Sequence, residues 1–529
     1  MRSRILFHEP SGNFFVPVGL KKSLIAFGYL LSLCLLLAAF PGLKWAHRPL
    51  LAFVALVPLL LVARQVQERW WRWLANFIFF EIFLQILLPW PRMAHGSTII
   101  GSGAYWGLLC FYALAPLIWS GSLAVSEGLA LGHSPGFRPW FVALAWTMGE
   151  YLYFVLPFPF PLSMATALYD QPLLIQICSV TGIQGLAFAI IWVNAALAEL
   201  IEAYHCGNDQ RGLLARQTLI GGLIFLTLSV WLFYKPYQVQ ARALKLAVIQ
   251  PNRSWLQSVA ENFLPAAMQG HTRKMLDLTQ QAITCYQPDL VFWNERSVKS
   301  GTLDRELNQG LAHLSQGNPN LGVVLGHDML IARSVENSVS LWSAANGWSA
   351  AYVKQRRVPF FEQSASVVDA SFSLPLRDQI HPAIGAMICF ESLFPQVALG
   401  HVRHGALILA DLSNDSFFGK SNWVLLHATY AVLRAVELRR PFVVSNNTGF
   451  SLIVDHRGRI LLRTVPGQAG IGCATIHPVR HRSLYQWCPW CFPLLCLGAS
   501  LVRVGQLAVG AADKARPASK VLRAIISNA

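Results

Sequence analysis

Charge is what this chain has least of. Only 13% of its 529 residues are Asp, Glu, Lys or Arg, about half the share of an ordinary soluble domain. Acidic side chains are the scarcer sign, 26 against 42 basic, and 54% of the chain is hydrophobic. Such a composition excludes a wholly soluble protein and fits one lodged in a bilayer. No basic run interleaves with aromatics on a soluble stretch, so the net charge of +16 is assigned to tails and loops meeting anionic lipid rather than to nucleic acid. The polar middle has no His-x-x-x-His and no clustered His/Cys spacing, so neither a metal nor a cofactor is expected there. No internal repeat or low-complexity segment is present. The ten cysteines do not read as a disulfide framework, because Cys34, Cys110, Cys178 and Cys496 lie in apolar runs. Cys488-Pro-Trp-Cys491 has redox or zinc spacing, but it stands alone at a membrane boundary and is read as packing.

The apolar residues are concentrated before residue 235 and again near 486–510. Runs of roughly 20 apolar residues are long enough to span a bilayer. Candidates lie near 23–42, 49–64, 71–90, 104–125, 139–158, 174–200, 217–234 and 487–509, about eight spans in all. With a cytoplasmic N-terminus, the inside loops collect Arg2, Arg4, Lys21, Lys22, Arg64, Arg69, Arg138, Arg211 and Arg216. The outside loops hold only Lys44, Arg48 and Arg92. The positive-inside rule then puts both termini in the cytoplasm and the middle domain outside. Residues 1–234 form the membrane region, 235–242 a linker, 243–482 an external domain, 487–509 a last span and 510–529 a cytoplasmic tail. Glu81 and Glu150 are costly in a span unless paired or facing a cavity. For Glu150 a functional or pairing role and a merely interfacial one are equally open.

The middle block alternates. Strand-like runs begin with Leu244-Lys-Leu-Ala-Val-Ile-Gln250 and recur at 289–293, 321–326, 349–353, 384–389, 406–411, 441–446, 451–455 and 459–463. Helical spacing separates several of them, at 256–284, 302–315 and 423–439. This order argues an α/β domain of layered sheets and helices.

Three of those strands end in reactive side chains. Leu290-Val-Phe-Trp-Asn-Glu295 ends in a carboxylate. Tyr352-Val-Lys354 carries a lysine, with Glu362 eight residues on, and Ala386-Met-Ile-Cys389-Phe390-Glu391 delivers a thiol to a turn. A cysteine nucleophile needs a group to manage its proton and donors for the oxyanion. Glu295 suits the base, and Lys354 with the Phe390 N–H suits the oxyanion. Glu362 suits the orientation of Lys354, and Glu391 the support of the turn. Each alone reads as packing or as a solvated strand end. The three together, in order, point to nucleophilic catalysis.

These flanks resemble the nitrilase, or carbon–nitrogen hydrolase, superfamily, whose triad is Glu, Lys, Cys. They look most like its membrane-embedded branch, the apolipoprotein N-acyltransferases. Pro288-Asp-Leu-Val-Phe-Trp-Asn-Glu295, Tyr352-x-Lys354 with Val358-Pro359-Phe360-x-Glu362, and Cys389-Phe390-Glu391 carry the likeness. So do Ser413-Asn414-Asp415-x-Phe417-Phe418-Gly419, His427, Arg434-Ala-x-Glu437-x-x-Arg440-Pro441 and Asn446-Asn447-x-Gly449. Glu150, Pro172-Leu-Leu-Ile-Gln176 and Thr181-Gly182-x-x-Gly185 extend it into the membrane half. The resemblance implies an αββα sandwich between the last two of eight spans, in a bacterial inner membrane, facing the periplasm. It also implies catalytic Glu295, Lys354 and Cys389, and substrate contacts from Asn414, Phe417 and Phe418. The implied reaction is ping-pong acyl transfer from a phospholipid, phosphatidylethanolamine being the usual donor, to the diacylglyceryl-cysteine of an apolipoprotein. Asn294, Phe361 and Phe417 stand where the family usually has proline, glycine and tryptophan. The external turn lacks the family's Arg-Gly pair, and the tryptophan segment after the first strand is shortened to Asn252-Arg-Ser-Trp255. Those departures leave open an amidase or acylase acting on another amine. A transporter or scaffold with a degenerate external domain is the non-enzymatic alternative.

Overall fold

A computed structural model describes residues 18–42, 47–89, 102–155, 162–207, 211–237, 242–254, 257, 265–299, 304–331, 334–358, 362, 374–419 and 421–527. Phe361, Trp255 and the Pro157–Pro161 turn lie outside them.

The membrane half is a helix bundle: α1 (Val18–Ala39), α2 (Val57–Ala63), α3 (Arg69–Leu87), α4 (Ser102–Leu129), α5 (Arg138–Val155), α6 (Cys178–Thr181), α7 (Ile183–His205) and α8 (Arg211–Tyr234). Among the described residues, four helices are long and apolar enough to cross a membrane: Lys21–Ala39, Ile183–His205, Gly212–Tyr234 and Cys491–Gly510. Expected spans near 71–90, 104–125 and 139–158 are helical too, as α3, α4 and α5. Two others are corrected. The run at 49–64 is not one helix but a 3₁₀ turn, Pro49–Phe53, followed by the short α2. Proline supplies no N–H to continue a helical ladder, and the freed backbone is taken up from α7: Leu56 N–H donates to Asn194 Oδ1 at 2.8 Å, and Asn194 Nδ2 to Ala52 O at 2.8 Å. The run at 174–200 breaks at Gly182, whose φ of 71° ends α6 before α7 begins.

Glu150 pairs. Fully enclosed, it accepts from Trp146 Nε1 at 2.9 Å, the Ser163 hydroxyl at 2.6 Å and Met164 N–H at 3.0 Å. It therefore fastens α5 to the 3₁₀ turn Met164–Leu168.

The α/β half contains β1 (Leu244–Gln250), α9 (Pro265–Tyr286), β2 (Leu290–Phe292), α10 (Arg305–Ser315), β3 (Gly322–Ile331), β4 (Ser334–Ser343), β5 (Gly347–Trp348) and β6 (Tyr352–Val353). After these come β7 (Ile384–Ile388), α11 (Pro395–Arg403), β8 (Ile408–Ser413), α12 (Trp423–Leu438), β9 (Phe442–Asn446), β10 (Leu452–Val454), β11 (Ile460–Arg463) and β12 (Gly470–Ile476). One sheet runs β12-β1-β2-β3-β4-β5, with β6 on β4; the other runs β11-β10-β9-β8-β7. Alternation along each strand splits the core into layers. Leu246, Val248 and Phe292 face Ala386, Ile388, Ala410 and Val443 between the sheets. Ala247, Ile249 and Val291 turn outward to α9 and α10. On the far side, Met387, Leu409 and Val444 meet α11 and α12, and that layer continues into the membrane bundle as one apolar cluster. The result is the expected αββα sandwich, one outer face of which is the joint to the membrane half.

The joint carries buried charge. Glu437 pairs with Arg434, and both are fully buried. Glu437 Oε1 also accepts the Ile183 N–H at 2.9 Å, capping α7 from the α/β half. Arg439, in a left-handed turn at φ 47°, reaches back to Gln176 Oε1 at 2.6 Å and Ser179 Oγ at 2.8 Å. Beyond it come the short α13 (Leu484–Trp487) and the long α14 (Cys491–Ser527). Cys488 and Cys491, read above as packing residues, are joined as a disulfide in the turn between these helices. Their Cα atoms are 5.3 Å apart, within bridging range.

Candidate active site

Three strand ends converge between the sheets. Glu295 follows β2 in a short buried turn; its Oε1 accepts from Asn337 Nδ2 at 2.6 Å and faces Lys354 Nζ at 3.4 Å. Lys354 leaves β6, its own N–H bound to Asn337 O at 2.9 Å. Asn337, on β4, thus fixes Glu295 and Lys354 together. Sequence reading missed it because β4 itself was not expected. Lys354 Nζ also binds Glu362 Oε1 at 2.7 Å, and Glu362 Oε2 accepts the Val358 N–H at 2.7 Å. Burial opposes the charge on Lys354, but Glu295, Glu362 and the Cys389 sulfur outweigh it and hold the ammonium above its ordinary range. Although burial opposes its charge, Glu362 is held below the usual carboxylate range, chiefly by Lys354.

Cys389 opens the 3₁₀ turn Cys389–Leu393 at the end of β7. Its φ is 54°, a left-handed conformation that a non-glycine residue adopts at a cost. Glu391 holds this turn. Fully buried, it accepts from Ile388 N–H at 2.9 Å, Tyr352 OH at 2.8 Å, Gln355 N–H at 2.6 Å and Arg356 N–H at 2.9 Å. The Cys389 turn is thereby tied to the Lys354 loop. Burial pushes the Glu391 carboxyl up to about 7 despite those donors. Burial, with Glu295 adding to it, pushes the Cys389 thiol well above its ordinary value, with Lys354 pulling the other way. The sulfur therefore keeps its proton at neutral pH.

Aromatic side chains pack beside Cys389, and others run from the turn after β8 to the membrane half. Phe390 packs edge-on against Phe394, and Phe417 against Phe418. Phe418 stacks on Trp423, centroids 5.5 Å apart and rings within 8° of parallel. Trp423 Nε1 donates to Tyr112 OH of α4 at 2.7 Å. Asn414 sits beside this path, but its side-chain oxygen is used locally, accepting from Ser416 N–H at 3.3 Å and Asn447 Nδ2 at 2.8 Å. Asn294, where a proline was expected, is buried and donates to the Glu295 carbonyl at 2.8 Å.

Residues 32–196 match the model of the apolipoprotein N-acyltransferase N-terminal domain, and residues 320–486 match that of carbon-nitrogen hydrolases. Along both halves the chain is similar to apolipoprotein N-acyltransferases of the carbon-nitrogen hydrolase group. An apolipoprotein N-acyltransferase of Thermotoga maritima is 26% identical over 439 residues, covering 78% of this chain and 80% of the relative. That of Geobacter metallireducens is 26% identical over 396 residues, 70% of this chain and 72% of its own. That of Haemophilus influenzae is 24% identical over 452 residues, 78% and 81%. Among solved structures, a carbon-nitrogen hydrolase of Helicobacter pylori covers 47% of this chain and 94% of its own at 14% identity and a TM-score of 0.35. The hydrolase match begins at residue 320, downstream of Glu295. The place of Glu295 beside Lys354 is therefore set by where β2 delivers it.

Proposed function

We propose that this chain transfers a fatty acyl group from a phospholipid, through a Cys389 thioester, to the α-amine of a diacylglyceryl-cysteine at an apolipoprotein N-terminus. The observation that carries the reading is the placement of Lys354 between Glu295 and Glu362, with the loop after Lys354 tied through Glu391 to the Cys389 turn. Glu295 takes the thiol proton as Sγ attacks the ester carbonyl. Lys354 and the Phe390 N–H receive the developing oxyanion, a donor of this kind being worth about 3 kcal/mol of barrier. When the ester C–O bond breaks, Glu295 returns the proton to the leaving lysophospholipid oxygen, and Cys389 holds the acyl chain. The acceptor amine then attacks the thioester. Glu295 takes its proton and returns it to the departing sulfur, leaving an amide and the resting thiol. Glu362 steadies Lys354, and Glu391 keeps the turn.

The membrane half fits such substrates. Extracting an acyl chain costs about 0.8 kcal/mol per exposed CH₂, so the site has to stand at the bilayer. Phe417, Phe418 and Trp423 form an apolar route toward it. The reading places the enzyme in a bacterial inner membrane through about eight spans, with residues 243–482 on the periplasmic side and phosphatidylethanolamine as donor. Intact mass after incubation with phosphatidylethanolamine tests it. One acyl chain is expected on Cys389, absent in Cys389→Ser and discharged by a diacylated lipopeptide. No gain with any phospholipid, together with hydrolysis of small amides, would give the site to an amidase instead.

A further inference from the structure

Behind Cys389 lies an ion cluster that the reaction above does not use. His427, on α12, is buried, and both ring nitrogens are engaged. Nδ1 stands 3.1 Å from Asp415 Oδ1. Nε2 stands 3.0 Å from the Cys389 carbonyl oxygen, 3.2 Å from Ser392 Oγ and 3.7 Å from Asp411 Oδ2. Asp415 is held in turn by Asn446, which donates from Nδ2 to Oδ2 at 2.6 Å and accepts the Asp415 N–H at 3.2 Å. Ser392 donates its hydroxyl to the same Cys389 carbonyl at 3.1 Å.

A carboxylate and a carbonyl can only accept. A neutral imidazole carries one N–H, so it could satisfy Asp415 or the Cys389 carbonyl but would turn a lone pair on the other. Two acceptors on two ring nitrogens require two protons. We infer that His427 is a resident imidazolium that pins the Cys389 carbonyl and places a second cation beside the thiol, opposite in role to the mobile proton on Glu295. The inference rests on the proposed role of Cys389 and deepens it: His427 is a positioning residue.

Two further observations agree. The left-handed turn at Cys389 persists only if its surroundings over-determine it, and Glu391 fixes the preceding N–H while His427 and Ser392 fix its carbonyl. A His427 ring nitrogen, an Asp415 oxygen and Cys389 Sγ also lie within 4.8 Å of one another, so an imidazolium there offsets the Asp415 and Asp411 carboxylates, which push the thiol up. Those three groups could in principle hold a metal ion. The ring nitrogens, however, are turned to Asp415 and to the Cys389 carbonyl. The charged groups facing His427 are Asp411 from β8 and Asp415 from the turn after it. Burial works against the imidazolium, yet these carboxylates and the Cys389 carbonyl raise its pKa to about 9.

The test uses the full chain in detergent. Nitrogen-15 spectra of histidine-labelled protein, with His427→Gln to assign the signal, should show a doubly protonated ring at pH 7.5; a neutral tautomer would overturn the inference. Alkylation of Cys389 by iodoacetamide is then followed against pH. Glutamine keeps a donor for the carbonyl but no charge, so in His427→Gln the midpoint should rise by about 1 to 3 pH units. Acyl-Cys389 formation at neutral pH should fall at least about tenfold and recover in part at higher pH. An unchanged alkylation profile in a variant that melts like the parent would sink the idea. Should His427→Gln not fold, Asp415→Asn replaces it, with loss of the imidazolium signal at pH 7.5 expected and its persistence counting against the inference. Failure of the parent to form acyl-Cys389 would remove the proposed reaction, while the ring spectrum would still decide the charge of His427.

Discussion

Lys354 and Arg434 are both cations buried against carboxylates, yet they differ in what completes their hydrogen bonding. Arg434 pairs with Glu437, gives Nε to the Ser392 carbonyl at 3.3 Å and Nη2 to the Leu393 carbonyl at 3.1 Å, and lies over the Tyr430 ring. Its planar fork is consumed by fixed partners. Lys354 has three donors on a flexible stem, and among the described residues they meet Glu295 and Glu362. One donor is left to follow a charge that appears during reaction. Similar burial thus yields a rivet in one place and, in the other, a cation suited to the role proposed for it. The two are connected, because the carbonyls that Arg434 holds belong to the turn that begins with Cys389, and Glu437 caps α7 of the membrane half.

The contrast can be broken at either end. Glu295→Gln should slow acyl-Cys389 formation by about 100- to 10,000-fold, the usual range for a lost general base. Its melting midpoint should stay near the parent's, since Glu362 still neutralises Lys354; a large fall in stability would make Glu295 a structural residue. Glu437→Gln should do the reverse, leaving Arg434 buried without a counter-charge at a cost of about 3–5 kcal/mol, read by thermal unfolding in detergent. A mild effect there would mean that the joint is held by its apolar layer alone.

A pH scan sharpens the comparison further. The folded pKa of His427 is raised to about 9, above its ordinary value near 6.5. The folded state therefore binds more protons across that interval, and stability falls as pH rises through it. The lost contribution is about 3 kcal/mol. His427→Gln should flatten the melting profile between those limits, and an unflattened profile would assign the slope to other groups. The smallest effect is expected at the aromatic route. Trp423→Phe keeps the stack on Phe418 but drops the bond to Tyr112, which should cost about 1 kcal/mol and weaken turnover of long-chain donors more than of short ones.

Much of the α/β half was legible from residue order. Most of the expected strands, from Leu244–Gln250 to Ile460–Arg463, stand where their apolar residues put them, although around 349–353 the chain instead divides into the short β5 and β6. So do the carboxylate, lysine and thiol at their ends. β4 was not legible, because Glu336, Asn337, Ser338 and Ser340 are polar yet buried, and nothing local says so. Gly470–Ile476 was missed for a related reason: its glycines carry no side-chain pattern, and its place beside β1 is set by pairing with a strand more than 200 residues away.

The sequence by itself determined the division into an apolar half and an alternating one, and the order Glu295, Lys354, Cys389 within the second. Apolar run length and strand period are local quantities, and the hydrophobic effect acts on them wherever the chain goes. Only the tertiary structure decided which groups share protons. Asn337 between Glu295 and Lys354, His427 between Asp415 and the Cys389 carbonyl, and Glu437 on the first N–H of α7 each join residues that are distant or unpatterned in sequence. A hydrogen bond is worth its full strength only at about 3 Å and in a dry place, and folding alone creates both.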